Sequence, residues 1–356
     1  MWVTLRGRPL FCNFFTILAG PSGTGKTTAL LIGKELLQGL PGMHMAPAAL
    51  SKEKLILNMS KINQQILGAK DMRLQSPYAA FLDELSTFIR PKDYEFMVNL
   101  TDLYDNPKSW GYETLSRNTN KIENPFFTLL GGITPKGIME NIGRAAFGTG
   151  FTSRCNFIYS DKRVYTDPFE TMEQAPLGSF SADLKAIAAL SGPVRLTPPA
   201  KAFISTYFRQ GLPPAPRDPR LEDYNTRREI HFLKLATVYC CAESASMEIG
   251  IRHAEQARDT LLEAEQHMTQ AFEFLGASSA FESIKYIHQW LINEYATTKA
   301  PISELVLKRK LMSEINPQHI AVLLEELIAA GYTKVASDKG TRVFVPVQRV
   351  TTLGIV

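Results

Sequence analysis

The chain has little cysteine and little net charge. Four cysteines stand among 356 residues, at Cys12, Cys155, Cys240 and Cys241, with no C-x-x-C spacing and two of them adjacent. That excludes a zinc-ribbon set or a disulfide framework, and leads us to expect reduced, packed thiols in a cytoplasmic protein. The formal net charge is only +4. A globally basic surface is thereby excluded, and any nucleic-acid binding must come from local patches. No apolar stretch approaches the roughly 20 residues of a membrane helix, so no membrane association is expected. Internal repeats and low-complexity segments are also missing. What remains is an ordinary globular composition, 45% hydrophobic and 21% charged, in a chain long enough for a large core and one or two smaller units.

One stretch is far from ordinary. Gly20, Pro21, Ser22, Gly23, Thr24, Gly25, Lys26 and Thr27 fit the pattern G-x-x-x-x-G-K-[ST] in full. The apolar run Phe14 to Ala19 before it reads as a buried strand, and the run from Thr28 to Leu37 after it reads as a helix. Backbone N–H groups of such a turn converge with a helix N-terminus on one point, which suits a polyphosphate. Lys26 would reach the β- and γ-phosphates of ATP, Thr27 would take a Mg²⁺ coordination site, and Thr28 completes the loop's binding set. Arg6 and Arg8 followed by Pro9 to Ala19 superficially look like a leader peptide. The loop needs that apolar run as its entering strand, so the leader reading is rejected. Because this strand begins almost at the N-terminus, an upstream domain is expected to be absent or encoded elsewhere.

Further on, His44 to Ala48 reads as a short edge segment, and Ser51 caps a helix running to about Leu67. Tyr78 to Leu82 is an apolar strand that delivers Asp83 and Glu84 to its C-terminal end. Asp83 would hold Mg²⁺ through water and Glu84 would act as general base on the attacking water; an acidic N-cap for the next helix is the alternative. Tyr94 to Asp105 reads as a helix. Ser109 to Leu115 and Ile122 to Pro125 read as a hairpin whose polar tip, Ser116 to Lys121, carries Arg117 and Lys121. Phe126 to Ile133 is another buried strand, ending at Thr134, and Cys155 to Tyr159 is the last one. This alternation predicts an α/β core over residues 1–170, a parallel sheet with helices on both faces.

Residues 171–279 read as a helical lid with proline-rich connectors, including helices over about Leu221–Ser244 and Arg252–Phe274. Residues 280–356 read as a third unit. Helices at Ile284–Ile292, Ile302–Leu311 and Asn316–Gly331, then a hairpin turning at Asp338 to Gly340, form the pattern of a winged helix-turn-helix. Lys308, Arg309, Lys310, Lys334, Lys339 and Arg342 could meet phosphates there. The unit carries similar numbers of acidic and basic residues, so contact with protein is an equal reading.

Taken together, the order of parts resembles the AAA+ superfamily of P-loop NTPases. It looks closest to phage and prophage ATPases of a domain-of-unknown-function family found behind primase domains and regarded as replicative helicases. The resemblance rests on the phosphate loop, Leu82 to Thr87, Leu103 to Asp105 with Trp110, Asn124-Pro125, Leu129 to Pro135, and Gly150 to Arg154. The layout is also similar to that of the minichromosome-maintenance helicases. That likeness implies that the hairpin enters a central channel, with Arg117 or Lys121 gripping the DNA backbone. It implies Thr134 as sensor 1 and Arg154 as an arginine finger for a neighbouring subunit. Arg227 would be the sensor 2 arginine that contacts nucleotide, with Arg228 the next choice. Those helicases carry an N-terminal domain, and no counterpart of it is expected here.

The expectation is therefore a ring-forming ATPase, a hexamer, that moves on single-stranded or forked DNA in the cytoplasm of a bacterium or a phage-infected host. A primase or other replication protein would be its partner. The alternative is an ATP-switched protein that binds DNA or a partner without translocating. A small-molecule kinase is weaker still, since nothing in the sequence identifies an acceptor pocket.

Overall fold

The computed structural model describes residues 1–40, 42–47, 50–62, 64–65, 74–114, 117–163, 180–272, 279–312, 317–338 and 340–347. The chain divides into two compact units, Met1–Leu275 and Gly276–Val356.

The first unit opens with a hairpin, β1 (Trp2–Leu5) and β2 (Arg8–Phe11), turning at Arg6 and Gly7, both with positive φ. β3 (Phe15–Ala19) then enters the glycine-rich loop, and α1 (Lys26–Leu37) leaves it. Next come α2 (Lys52–Lys61), capped by Ser51, then β4 (Gln64–Gln65), β5 (Leu74–Leu82) and α3 (Tyr94–Tyr104). The hairpin of β6 (Ser109–Thr114) and β7 (Arg117–Glu123) leads into β8 (Pro125–Ile133), the single turn α4 (Pro135–Gly137) and β9 (Cys155–Tyr159). The rest of the unit holds α5 (Phe180–Ala188), β10 (Pro193–Leu196), α6 (Pro198–Arg209), α7 (Glu222–Asn225), α8 (Arg228–Glu243), β11 (Glu248–Ile249) and α9 (Ile251–Gln266).

The main sheet has the order β4-β5-β8-β3-β9, and all its pairs except β4–β5 are parallel. Parallel strands must be covered on both faces, because helical crossovers lie on each side. Here Phe15 packs edge-on against Phe127 and against Tyr104 of α3 on one face. Gly33 of α1 meets Phe81 and Leu130 on the other. The mixed α/β core expected from the alternation is thus present. Met45 bridges to Ala79 on the outer side of β5, so the expected edge segment is also in place.

The first unit departs from these expectations in several elements. β1 pairs in parallel with β10, and β10 with β11, giving a second sheet in the order β11-β10-β1-β2. Residues 171–279, read as a helical lid, therefore also hold strands and share a sheet with the N-terminus. The helix expected over Leu221–Ser244 is interrupted, with α7 ending at Asn225 and α8 starting at Arg228. In the β6–β7 hairpin the ladder runs further than expected: Gly111 faces Lys121 and Thr114 faces Arg117. Lys121 is therefore a strand residue, while positions 115–116 of the expected hairpin lie outside the described residues.

The second unit contains α10 (Ser279–Thr298), β12 (Ile302–Ser303), α11 (Glu304–Met312), α12 (Pro317–Ala329), β13 (Thr333–Asp338) and β14 (Thr341–Pro346). Its strands form an antiparallel sheet, β12-β14-β13, over a separate core of Ile287, Leu291, Leu307, Leu311, Leu327 and Phe344. Ile302 and Ser303, expected to open a helix, instead pair with Phe344 and Val343.

Candidate functional site

In a parallel sheet, the loops at the carboxyl ends of the strands share one edge. β3, β5 and β8 run in the same direction, so the Gly20–Thr27 loop, the Asp83–Glu84 pair and Thr134 all emerge at that edge. Local contacts fix them there. Gly20 N–H donates to the carbonyl of Ile133 at 3.2 Å. The backbone carbonyl of Asp83 lies 2.8 Å from where a Cβ on Gly132 would stand.

The loop is shaped by glycine. Gly23 and Gly25 hold φ near +83° and +81°, in the left-handed region that other residues rarely adopt. At Gly20 the constraint is space: a Cβ there would stand 2.1 Å from the carbonyl oxygen of Ser160. Gly25 is the N-cap of α1, with no side-chain cap and no acidic residue in the first turn. The positive end of the helix is left to whatever the loop surrounds. Lys26 Nζ donates to the carbonyls of Gly20 (2.8 Å) and Pro21 (2.7 Å). Burial pulls its ammonium below the ordinary lysine value, while the nearby Glu84 carboxylate pulls the other way. Pro21 and Thr24 are half-buried, Thr24 Oγ1 donating to Pro21 O at 2.9 Å, whereas Ser22, Thr27 and Thr28 are exposed.

Asp83 and Glu84 are both exposed. Glu84 Oε1 accepts from Ser86 Oγ at 2.8 Å and, more weakly, from Ser86 N at 3.4 Å, capping a short turn at Leu85–Thr87. The capping alternative is thus realised at Glu84, and the same contact orients its carboxylate. Thr134 Oγ1 accepts from Gly137 N at 3.0 Å and caps α4, which leaves its own hydroxyl hydrogen for another acceptor.

The two candidate arginines lie elsewhere. Arg154 precedes β9, whose Cys155 pairs with Phe15 at the start of β3. With five residues in β3 at ~3.3 Å each, Arg154 stands roughly 16 Å from its own loop, at the opposite edge. It is 8% exposed, with its guanidinium forked onto Asp105 (3.0 and 2.5 Å) and a third bond to Gly150 O at 2.8 Å. Arg227 approaches the same carboxylate, 3.6 Å from Asp105 Oδ1. Burial, then the adjacent Arg154 charge, lowers its pKa. Arg228 is 1% exposed and bonded to Glu265, Leu212 O and Pro214 O, so it has no open donor face. The sequence carried no signal for this meeting at Asp105, which joins three segments far apart along the chain.

Lys121 is exposed and paired with Glu123 at 2.6 Å; the Arg117 side chain lies outside the described residues. In the second unit Lys308 pairs with Glu304 at 2.6 Å and Arg342 with Glu325 at 3.0 Å. Lys339 lies outside the described residues.

A polyphosphate fits this edge: it offers uncapped N–H groups, a lysine, and a loop that a Cβ would obstruct. Mg²⁺ fits as well, since it takes one or two hard oxygen ligands and leaves the rest to phosphate and water. Thr27 and Asp83 supply such oxygens. Among the described residues no group of three or more His, Cys, Asp or Glu could hold a metal by itself. Among the described residues, too, no helix is long and apolar enough to cross a membrane.

No protein-family model and no curated protein matches the chain. Among solved structures it is similar to a full-length MCM homologue from Methanopyrus kandleri, with a TM-score of 0.36 and 14% identity over 72% of this chain and 51% of that one. The chain thus spans about half the length of that protein.

Proposed function

We propose that the chain is a Mg-ATP-dependent motor that forms a ring, a hexamer, and translocates on DNA as a phage-type replicative helicase. The observation that carries this is the convergence of the Gly20–Thr27 loop, Asp83–Glu84 and Thr134 at one edge of a parallel sheet.

Backbone N–H groups of the loop and Lys26 bind the β- and γ-phosphate oxygens. Thr27 and, through water, Asp83 would hold Mg²⁺, which would offset charge on the phosphates. Glu84, oriented by Ser86, accepts a proton from the water whose oxygen attacks the γ-phosphorus as its bond to the bridging oxygen breaks. The Thr134 hydroxyl donates to the γ-phosphate or to that water. Arg154 and Arg227 stand a strand's length from their own loop, so they serve a neighbouring copy's site, once Asp105 releases them. Hydrolysis at subunit contacts then moves the β6–β7 hairpin, with Arg117 and Lys121 on the DNA phosphates and little sequence preference. We place the three helices and sheet of the second unit as a winged helix that docks DNA or a primase. The pairing of Lys308 and Arg342 with carboxylates favours the protein partner.

The arginines' engagement within their own chain favours one second reading, an ATP-switched binding protein. ATP turnover with and without single-stranded DNA, at low and moderate salt, tests the motor. A motor is stimulated by DNA, and Glu84→Gln binds ATP but unwinds nothing. A switch shows no stimulation and keeps its bound-state activity in Glu84→Gln.

A further inference from the structure

The loop has a second cation that its motif does not contain. Ser160, the residue after β9, donates its N–H to Ala19 O at 3.0 Å, so the chain leaves the sheet beside the point where β3 enters the loop. Lys162 N–H turns back to Ser160 Oγ at 3.3 Å. Arg163 then lies on the loop, NH2 donating to Ser22 O at 2.9 Å. Its Nε and Cζ are 3.7 and 3.8 Å from where a Cβ on Gly23 would stand, so the guanidinium covers the crown of the loop.

A cation here adds to positive charge that the loop already carries. The crown adjoins the positive end of α1, where a cation has the wrong sign for the helix dipole. Lys26 is already there, its charge opposed by burial. One hydrogen bond from an exposed arginine to a carbonyl is a small return for adding a second cation. A guanidinium has five N–H donors in a fixed fork that matches phosphate oxygens. Because β9 flanks β3 on the side away from β8, Arg163 approaches from the flank opposite Asp83, Glu84 and Thr134.

We propose that Arg163 is a phosphate ligand acting in cis, contributing to binding of the nucleotide's polyphosphate chain and not to the proton transfer at Glu84. This rests on the nucleotide site proposed above. It is tested in the full-length protein with inorganic tripolyphosphate, which has the phosphates and no base or sugar. Affinity for Mg-ATP and for tripolyphosphate is expected to fall about tenfold or more in Arg163→Ala, as a charge-assisted bond is lost. KM for ATP should rise while kcat changes less than about threefold, the reverse of Glu84→Gln. Arg163→Gln keeps a donor for Ser22 O without the charge and should be as weak as Arg163→Ala. Unchanged tripolyphosphate affinity in Arg163→Ala, or full recovery in Arg163→Gln, would overturn the role and leave only a brace for the loop. A wild-type chain that binds neither ATP nor tripolyphosphate would instead remove the site itself, and the ligand with it.

Discussion

His231 and Lys234 are three residues apart on α8, and both are closed off from solvent at the edge of the sheet opposite the loop. His231 is 0% exposed; Nε2 contacts Ser153 O at 2.9 Å, and Nδ1 has no hydrogen-bond partner among the described residues. Burial drives its pKa down to about 3, so the folded ring is neutral, with its proton on Nε2. Lys234 Nζ donates to Asn13 O (2.7 Å) and Asn13 Oδ1 (3.0 Å) and stands 3.6 Å from the centre of the Tyr104 ring. Burial outweighs these and pulls its pKa down to about 7. The two groups act with the same sign. From its ordinary value of about 6.5 down to about 3, the unfolded chain binds a proton that folded His231 refuses, so stability falls as pH falls. Between about 7 and the ordinary 10.5 the same holds for Lys234, and stability rises with pH. Either slope approaches ~1.4 kcal/mol per pH unit for one group. His231→Gln keeps a donor for Ser153 O but does not titrate. Its denaturation midpoint in urea should fall less steeply than that of the wild type from pH 6.5 to pH 4. Parallel profiles would mean that His231 is not the group responsible.

At the scale of elements, the loop is held by strands on both sides of it. β8 takes the N–H of Gly20, and the exit from β9 fills the space where a side chain on Gly20 would go. Gly20→Ala must push Ser160 away from a 2.1 Å approach, which moves the loop and the Arg163 segment together. We expect nucleotide binding to fall at least tenfold and stability to drop about 1–3 kcal/mol, by overpacking. Titration with ATP and thermal melts on the same sample would check both; unchanged binding would contradict the rigid loop. Much of this site was legible in the sequence, because each part is local. The loop motif, the carboxylates ending β5 and the threonine ending β8 all follow from an apolar run and what terminates it. What was not legible depends on contacts between distant segments. β1 finds β10 about 190 residues away, and Asp105 gathers Arg154 and Arg227 from either side of β9. Arg163 is a single arginine in a connecting segment, with no spacing to mark it. The pairing of Lys121 within a ladder also depended on how far the hairpin zips, which alternation alone does not set.

For the whole molecule, each of the two units closes its own hydrophobic core. The loop, the carboxylates and the threonine of the proposed nucleotide site all lie within residues 1–275. A chain ending at 275 should therefore fold and bind Mg-ATP within about threefold of the full chain. Loss of binding on truncation would show that the second unit completes the site. Any loss of DNA or partner binding would fall on the removed part. The role proposed for the Gly20–Thr27 edge is hydrolysis coupled to DNA. Its most direct measurement is steady-state ATP turnover by the full-length protein with Mg²⁺, with and without single-stranded DNA, beside Glu84→Gln, with ATP binding measured in parallel. The expected result is turnover that rises with DNA in the wild type, and intact binding with turnover reduced at least a hundredfold in Glu84→Gln. Turnover indifferent to DNA, or undiminished in Glu84→Gln, would contradict it.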